Sequence, residues 1–223
     1  MNGTSVRQAI RCTGELLLTM GVIGVLFLAY LFWGTAARAA SAQQRLSGEL
    51  TQQWGTTPVH GDAISARPEQ FRVATGQPFA YITIPAFGPH WRFTLIQGTA
   101  LAQLDVSPGH VPGTQWPGQL GNFAVAGHRV TAGNPFWSLP SLRSGDVVNI
   151  ETRLNTYAYR VTGEKEVSPA DTSVLDPVPG HPGQRPTQRT ITLITCDPAW
   201  TGTHRVIVTG VLTAVTPRAA GHA

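Results

Sequence analysis

The stretch Thr190-Ile191-Thr192-Leu193-Ile194-Thr195-Cys196-Asp197-Pro198 carries a cysteine at the point where an apolar, β-branched run meets a proline. Such residues favour the pleated backbone of a strand, and proline ends regular pairing because it has no N–H to donate. A second strand-like run, Arg205–Leu212, begins nine residues after the cysteine. A hairpin is the simplest connection between the two runs. The stretch therefore predicts a strand that delivers a thiol to the end of a β-sheet.

The hairpin predicts a cation beside this thiol. If the two strands pair antiparallel, Cys196 and Arg205 face each other and project to the same side of the sheet. A guanidinium at that place can donate planar hydrogen bonds to a developing oxyanion. The alternatives are a half-buried cysteine that packs as a small hydrophobe and an arginine that is only a surface charge. The other cysteine, Cys12, precedes a long hydrophobic segment, so we expect no disulfide and favour a reactive Cys196.

A cysteine nucleophile reacts as the thiolate, so it needs a nearby base. Seven histidines are available, and His128 differs from the rest because it directly follows a strand-like run, residues 122–127. Gly127 lets the chain turn and bring the imidazole over the rim of a sheet. His204 is the rival base, although its neighbour Arg205 would project to the opposite face of the strand. A solvent-exposed loop histidine is the alternative reading of His128.

The N-terminal segment Leu16–Trp33 has eighteen residues and no charge, which is just long enough for a helix to cross a membrane. An uncleaved signal-anchor is favoured over a cleaved signal peptide, because the apolar run is longer than such signals usually are. A cleaved signal would use Ala37-Arg38-Ala39 as its processing site. Only fifteen residues precede the span and the folded mass follows it. We therefore expect a single-pass protein of the cell membrane whose body is extracytoplasmic.

After the hydrophobic segment, the pattern is one of short strands separated by glycine and proline, without long helices. Seven or eight such strands in roughly 140 residues predict an all-β fold, a closed or nearly closed β-barrel. The region 107–121, rich in glycine and proline, is predicted to be a loop. The predicted parts are a cytoplasmic N-terminus (1–15), a transmembrane signal-anchor (16–33), a helical stalk and linker (34–77), a folded domain (78–215) and a disordered tail (216–223).

Charge and composition exclude several classes of function. The net charge is +4, but the basic residues are scattered and form no run, so nucleic-acid binding is not predicted. The acidic residues of the region 164–176 lack the dense spacing of a calcium loop. We expect neither a metal nor a cofactor.

Taken together, these residues resemble the sortases, membrane-anchored cysteine transpeptidases of Gram-positive bacteria. The run 192–196 matches the TLxTC signature of the family, and Gly127-His128-Arg129 resembles its catalytic histidine segment. The run 205–208 is similar to the strand that carries the catalytic arginine. The resemblance covers about Phe79 to Val215. The stretch 108–114 and the Cys-Asp-Pro continuation are most similar to class E sortases, with class D as the neighbour.

The resemblance implies a sortase-type eight-stranded β-barrel with short helices, preceded by one transmembrane helix. It implies that Cys196, His128 and Arg205 are catalytic. The implied substrates are secreted proteins with a C-terminal sorting signal of LAXTG or LPXTG type. Cys196 would attack between Thr and Gly to form a thioester, Arg205 would stabilise the oxyanion, and His128 would protonate the leaving amine. An amine of a peptidoglycan precursor would then accept the acyl group.

The resemblance also assigns a groove wall to the segment Ser168–Arg189. Its five prolines predict an ordered but non-helical wall.

Two alternatives of other classes stay open at this stage. A secreted papain-like cysteine hydrolase uses the same chemical pair, but it places its cysteine at a helix start and well before its histidine. Here the histidine precedes the cysteine by 68 residues, since 196 − 128 = 68. A non-catalytic, membrane-tethered domain that only binds peptides is the other alternative.

Overall fold

Two helices precede the β-structure, and the computed structural model describes residues 3–30, 34–55 and 70–218. Helix α1 spans Gly3–Ala29 and helix α2 spans Thr35–Gly55. Within α1, the 20 residues Ile10–Ala29 are long and apolar enough to cross a membrane. This segment overlaps the predicted signal-anchor from Leu16 onward. The last three residues of the predicted span, 31–33, lie outside the described residues.

Eight strands close into a barrel, which confirms the predicted all-β fold. The order around the barrel is β1-β2-β3-β4-β7-β8-β6-β5, and β5 pairs with β1 to close it. The pairs β2–β3 and β4–β7 are parallel, and the other neighbours are antiparallel. The strands are β1 (Pro78–Thr83), β2 (Arg92–Gln97), β3 (Gly109–His110), β4 (Gly121–Ala126), β5 (Val147–Glu151), β6 (Asn155–Val167), β7 (Arg189–Asp197) and β8 (His204–Pro217).

The helices of the barrel region are short. Helix α3 (Leu101–Leu104) lies between β2 and β3, and 3₁₀ turns occupy Pro85–Phe87, Leu139–Ser141 and Thr172–Leu175. The last of these lies in the segment 168–189, so the prediction of a non-helical wall is wrong over four residues. An Asx-type cap explains this turn, because the Asp171 side chain accepts a hydrogen bond from the Ser173 N–H at 3.1 Å.

Alternation along the strands sends apolar side chains inward. Ile191 and Leu193 of β7 pack with Phe123 and Val125 of β4 in the core. Successive side chains of a strand point to opposite faces. The even-numbered residues of β4 and β7, which include Cys196, therefore project to the outer face of the barrel.

Strand β3 lies inside the region 107–121 that the sequence predicts to be a loop, so that prediction is wrong for these two residues. A two-residue strand is too short to show alternation. It forms because Gly109 approaches the backbone of Gly98 so closely that a Cβ at position 109 would overlap the Gly98 carbonyl. The Gly98 N–H donates to the His110 carbonyl at 3.0 Å, which ties β3 to the end of β2.

At the C-terminus, β8 continues through Pro217, so it includes the first two residues of the predicted tail. The Arg218 side chain donates to Glu151 of β5 at 3.0 Å. Residues 219–223 of the predicted tail lie outside the described residues.

Helix α2 packs against the barrel. Leu50 and Trp54 form a buried cluster with Tyr81 of β1, and the rings of Trp54 and Tyr81 meet edge to face at 5.4 Å. The Gln43 amide accepts a hydrogen bond from the Thr94 N–H at 2.8 Å. The helical part of the predicted stalk is thus attached to β1 and β2, whereas residues 56–69 of the predicted linker lie outside the described residues.

A polar cluster fills the inner side of β3. His110 is 1% exposed, and its ring lies among the aromatic side chains Phe79, Trp116 and Phe123. Its Nδ1 lies 2.6 Å from Gln97 Oε1, and its Nε2 lies 3.0 Å from Thr114 Oγ1. Burial disfavours the charged imidazolium and lowers the pKa of His110 to about 4.

This burial makes folding stability sensitive to acid. The folded state resists protonation of His110, whereas the unfolded chain accepts the proton with a pKa near 6.5. The stabilising contribution of the neutral ring is therefore complete above about pH 6.5 and falls as the pH drops toward 4, by about 3 kcal/mol in total.

We expect His110→Gln to reduce the change in unfolding free energy between pH 7 and pH 4.5. Urea unfolding at the two pH values measures this change. The matched control is His90→Gln, since His90 is exposed. An acid sensitivity that is the same in wild type and His110→Gln would contradict the prediction.

Candidate active site

The parallel pairing of β4 with β7 brings the ends of both strands together. The Gly127 N–H donates to the Ile194 carbonyl at 3.1 Å, and the Thr195 hydroxyl donates to the Gly127 carbonyl at 2.9 Å. The register of the pair, continued by two residues, places His128 beside Cys196. Neighbouring strands lie about 4.8 Å apart. The predicted base and the predicted nucleophile therefore each lie two residues beyond the last pair of this ladder, Ala126 and Ile194.

On the other side of β7, strand β8 supplies the cation. Cys196 and Arg205 are directly opposed in the antiparallel register, as the sequence predicted. Gly202, in the loop between the two strands, lies against both: a Cβ built there would be 3.6 Å from Cys196 Sγ and 3.8 Å from Arg205 Nη1. Arg205 Nη1 donates to the carbonyl oxygens of Gly202 at 2.7 Å and His204 at 2.8 Å. These bonds hold the guanidinium over the loop.

The thiol lies in a partly covered position on the outer face. Cys196 is a free cysteine. It is partly exposed, and so are His128 and Arg205. The segment 168–189 contacts the same face near the start of β4, where Asn122 Nδ2 donates to the Val174 carbonyl at 3.0 Å. A thiol, an imidazole and a guanidinium at one end of a sheet provide the groups needed for nucleophilic attack on a carbonyl.

A family model described as "Sortase domain" matches residues 82–213. The chain belongs to the sortase family.

The similar proteins include class E sortases. Sortase SrtE1 of Streptomyces coelicolor is 33% identical over 227 residues, which cover 96% of this chain. This chain spans 60% of the length of that relative. The solved structure of sortase E from Streptomyces avermitilis is 40% identical, with a TM-score of 0.59 over 65% of this chain and 93% of that one. The predicted resemblance to class E is confirmed.

A structure of Sortase E1 from Streptomyces coelicolor with a tripeptide in the active site is 35% identical to this chain. Its TM-score is 0.61, and the match covers 68% of this chain and 98% of that one.

Sequence reasoning missed one carboxylate beside the candidate base. His128 Nε2 lies 3.3 Å from Asp105 Oδ1 in the loop after α3. A hydrogen on Nε2 that is donated to this carboxylate leaves Nδ1 as the nitrogen that can accept a proton. No sequence signal indicates Asp105, because it is a single acidic residue in a loop, 23 positions before the histidine.

The rival base lies elsewhere. His204 is exposed, and its Nδ1 lies 3.3 Å from Glu166 Oε1 and 3.1 Å from Thr203 Oγ1. It faces β6 and the solvent, while Arg205 lies beside Cys196. Among residues 3–30, 34–55 and 70–218, no three His, Cys, Asp or Glu side chains are grouped as metal ligands.

The close approach at Gly202 leads to a test of the site geometry that does not depend on turnover. We expect Gly202→Ala to slow alkylation of Cys196 by iodoacetamide by roughly tenfold, since small displacements near a reacting atom lower rates by one to two orders of magnitude. The added methyl would be in contact with both the sulfur, at 3.6 Å, and Arg205 Nη1, at 3.8 Å. The measurement uses a Cys12→Ala background, which leaves Cys196 as the remaining thiol.

Gly145→Ala is the matched control. Gly202 and Gly145 both have positive φ, +61° and +103°, but a Cβ at Gly145 has nothing within 4 Å. Backbone strain is therefore common to the two variants, and crowding of the thiol is specific to one. Equal alkylation rates in the two variants would show that Gly202 does not shape the site.

Proposed function

We propose that this chain is a membrane-anchored cysteine transpeptidase that cleaves a C-terminal LAXTG- or LPXTG-like sorting signal between Thr and Gly. It transfers the acyl group from a thioester on Cys196 to an amine of a cell-wall precursor. The observation that carries the proposal is the strand order β4-β7-β8, which supports a site made of His128, Cys196 and Arg205. The residues 78–215 form the catalytic domain in this proposal.

Acylation begins when the Cys196 thiolate attacks the carbonyl carbon of the threonine in the sorting signal. A C–S bond forms, and the carbonyl electron pair moves onto oxygen. The Arg205 guanidinium donates hydrogen bonds to this oxyanion. When the oxyanion collapses, the C–N bond breaks and the protonated His128 gives its proton to the leaving amine of glycine. The product is a thioester with the new C-terminal threonine.

Deacylation reverses the direction of the proton. The acceptor amine attacks the thioester carbon and loses a proton to His128, so a new C–N bond forms and the C–S bond breaks. The Cys196 thiolate and the protonated imidazole are regenerated together. The cycle is balanced without an oxidant or a cofactor, and water in place of the amine gives the free acid.

The contacts of the Arg205 guanidinium support the proposed oxyanion role. The two carbonyl bonds of Arg205 are made by Nη1. The planar fork of arginine presents donors on Nη2 and Nε as well, in a geometry that lysine lacks. The side chain is thus fixed by its own loop before a substrate arrives, which lowers the reorganisation needed during the reaction.

The proposed location is the cell membrane, with the catalytic domain outside the cytoplasm. The support is the apolar part of α1, Ile10–Ala29, none of which is buried against the described residues of the barrel. A membrane-bound enzyme of this orientation meets exported proteins and cell-wall precursors at the same surface.

Loss of the thiol tests the proposal directly. We expect Cys196→Ala to form no thioester with LAXTG or LPXTG peptides, because no other group in the site can carry the acyl chain. The assay incubates the detergent-solubilised full-length chain with peptide and an amine, followed by mass analysis. Cys12→Ala is the control and retains wild-type turnover.

The products discriminate the functions. An amide product supports a transpeptidase, whereas free acid alone favours a cysteine hydrolase. Folded wild-type protein that yields neither product contradicts the proposed reaction.

The choice of base has its own test. We expect His128→Ala to lower acyl transfer by roughly 10²- to 10⁴-fold, which is the usual contribution of a positioned acid–base group. His204→Ala keeps transfer near the wild-type rate, because His204 faces Glu166. The same peptide assay measures both variants. An inactive His204→Ala variant beside an active His128→Ala variant would reverse the assignment.

A further inference from the structure

The residues that directly follow His128 and Cys196 form an ion pair with each other. Arg129 Nη1 donates a hydrogen bond to Asp197 Oδ1, and it lies 3.3 Å from the carbonyl oxygen of Cys196. The two side chains are 18% and 25% exposed, so the pair is mostly withdrawn from water. One guanidinium therefore contacts both the backbone of the candidate nucleophile and the side chain of the next residue.

The pair joins the two chain segments that carry the candidate reactive groups. Arg129 directly follows His128 in the chain, and Asp197 directly follows Cys196 at the end of β7. The pairing of β4 with β7 ends at Ala126 and Ile194, and the Gly127 N–H donates one further hydrogen bond to the Ile194 carbonyl. Beyond that point, the Arg129 side chain contacts the end of β7 through Asp197 and the Cys196 carbonyl.

The chemistry of the pair favours a fixed geometry. Arg129 Nε is buried and has no hydrogen-bond acceptor among the described residues. The guanidinium thus depends on Asp197 and on the Cys196 carbonyl for its polar contacts within residues 70–218. Arg129 Nη1 donates to two acceptors at the end of β7, a carboxylate and a main-chain carbonyl. A lysine ammonium would place a flexible point charge there instead of a rigid, planar guanidinium. Removal of one partner leaves a poorly solvated charge.

We propose that Arg129 and Asp197 are positioning residues that hold Cys196 in reach of His128. The inference rests on the proposed function, in which Cys196 holds the acyl group while His128 exchanges one proton with an amine in each half of the cycle. Such transfer needs heavy atoms within about 3 Å of each other, so a small displacement of Cys196 relative to His128 interrupts it. The ion pair sets the separation of the two segments that carry these residues.

The test measures kcat and KM for the sorting peptide in Arg129→Lys and Asp197→Asn of the full-length chain. We expect kcat to fall by roughly 10- to 100-fold, as displacements of about 1 Å do, with an unchanged KM. Lysine keeps the charge of Arg129, and asparagine keeps the shape of Asp197. A fall in kcat in these variants therefore reports a change in the geometry of the contact and not the loss of a whole side chain. Melting temperatures accompany both measurements, and rates are taken well below them.

The matched controls are Arg92→Lys and Glu151→Gln. Arg92 and Glu151 also form an ion pair between barrel strands, at 3.1 Å. Their strands, β2 and β5, each lie three places from β7 in the barrel order. These variants lower the melting temperature and leave kcat unchanged. If the Arg129 and Asp197 variants lose no more kcat than the controls do, the positioning role is wrong.

The double variant Arg129→Met/Asp197→Leu covers the case in which single variants fail to fold. Apolar replacement of both partners of a buried ion pair often preserves stability. A folded double variant with low kcat supports positioning, whereas wild-type kcat in it overturns the inference and assigns the pair to stability alone.

A second readout separates this inference from the proposed function. In a Cys12→Ala background, the rate of Cys196 alkylation at pH 7 falls in the Arg129 and Asp197 variants and not in the Arg92 and Glu151 variants. If wild-type protein transfers no acyl group, the proposed function fails while alkylation still tests the pair. If wild-type protein is active and alkylation is equal in all variants, the positioning inference fails alone.

Discussion

The parallel pairing of β4 with β7 is the constraint on which the site depends. The ladder from Gly121 to Ala126 fixes the register, and the Gly127 N–H donates one more main-chain hydrogen bond to the Ile194 carbonyl. The Thr195 hydroxyl adds a side-chain bond to the same glycine. Two parallel strands end at the same edge, so the residues that follow them meet. Strand β7 also pairs with β8. The end of β7, which carries Cys196, therefore lies between the end of β4, which precedes His128, and the start of β8, which carries Arg205. A shift of one residue in either pairing would send Cys196 to the core face.

The two faces of β4 and β7 contact different parts of the protein. Odd-numbered residues of β4 and β7, such as Phe123, Val125 and Leu193, fill the barrel, while even-numbered ones face outward. On this outer face, Asn122 donates to the carbonyl of Val174 in the segment 168–189 and accepts from the Thr192 hydroxyl at 2.8 Å. These two bonds pair buried polar side chains within the protein.

Regions remote from the thiol follow the same requirement that buried polar groups find partners. His110 is accommodated beside aromatic rings because Gln97 and Thr114 bond to its two nitrogens. On the side of the barrel opposite β7, Tyr81 is covered by α2, and its hydroxyl lies 2.7 Å from the Ser47 hydroxyl. The helix that follows the apolar segment is thus attached to β1 by packing and by hydrogen bonds. In the proposed topology, this helix lies between the membrane segment and the barrel along the chain.

The amino-acid sequence by itself determined the class of the fold, the apolar segment, the hairpin of β7 and β8 and the opposed Cys196 and Arg205. These are local patterns, in which alternation, a proline stop and a short loop define the structure. It did not reveal β3, the docking of α2, Asp105 beside His128, or the ion pair of Arg129 and Asp197. Each of these joins residues far apart in the chain. Only the closed barrel decides which strand ends meet. Parallel pairing and packing join segments that are distant in the chain, and no local pattern in the sequence indicates which of them come together.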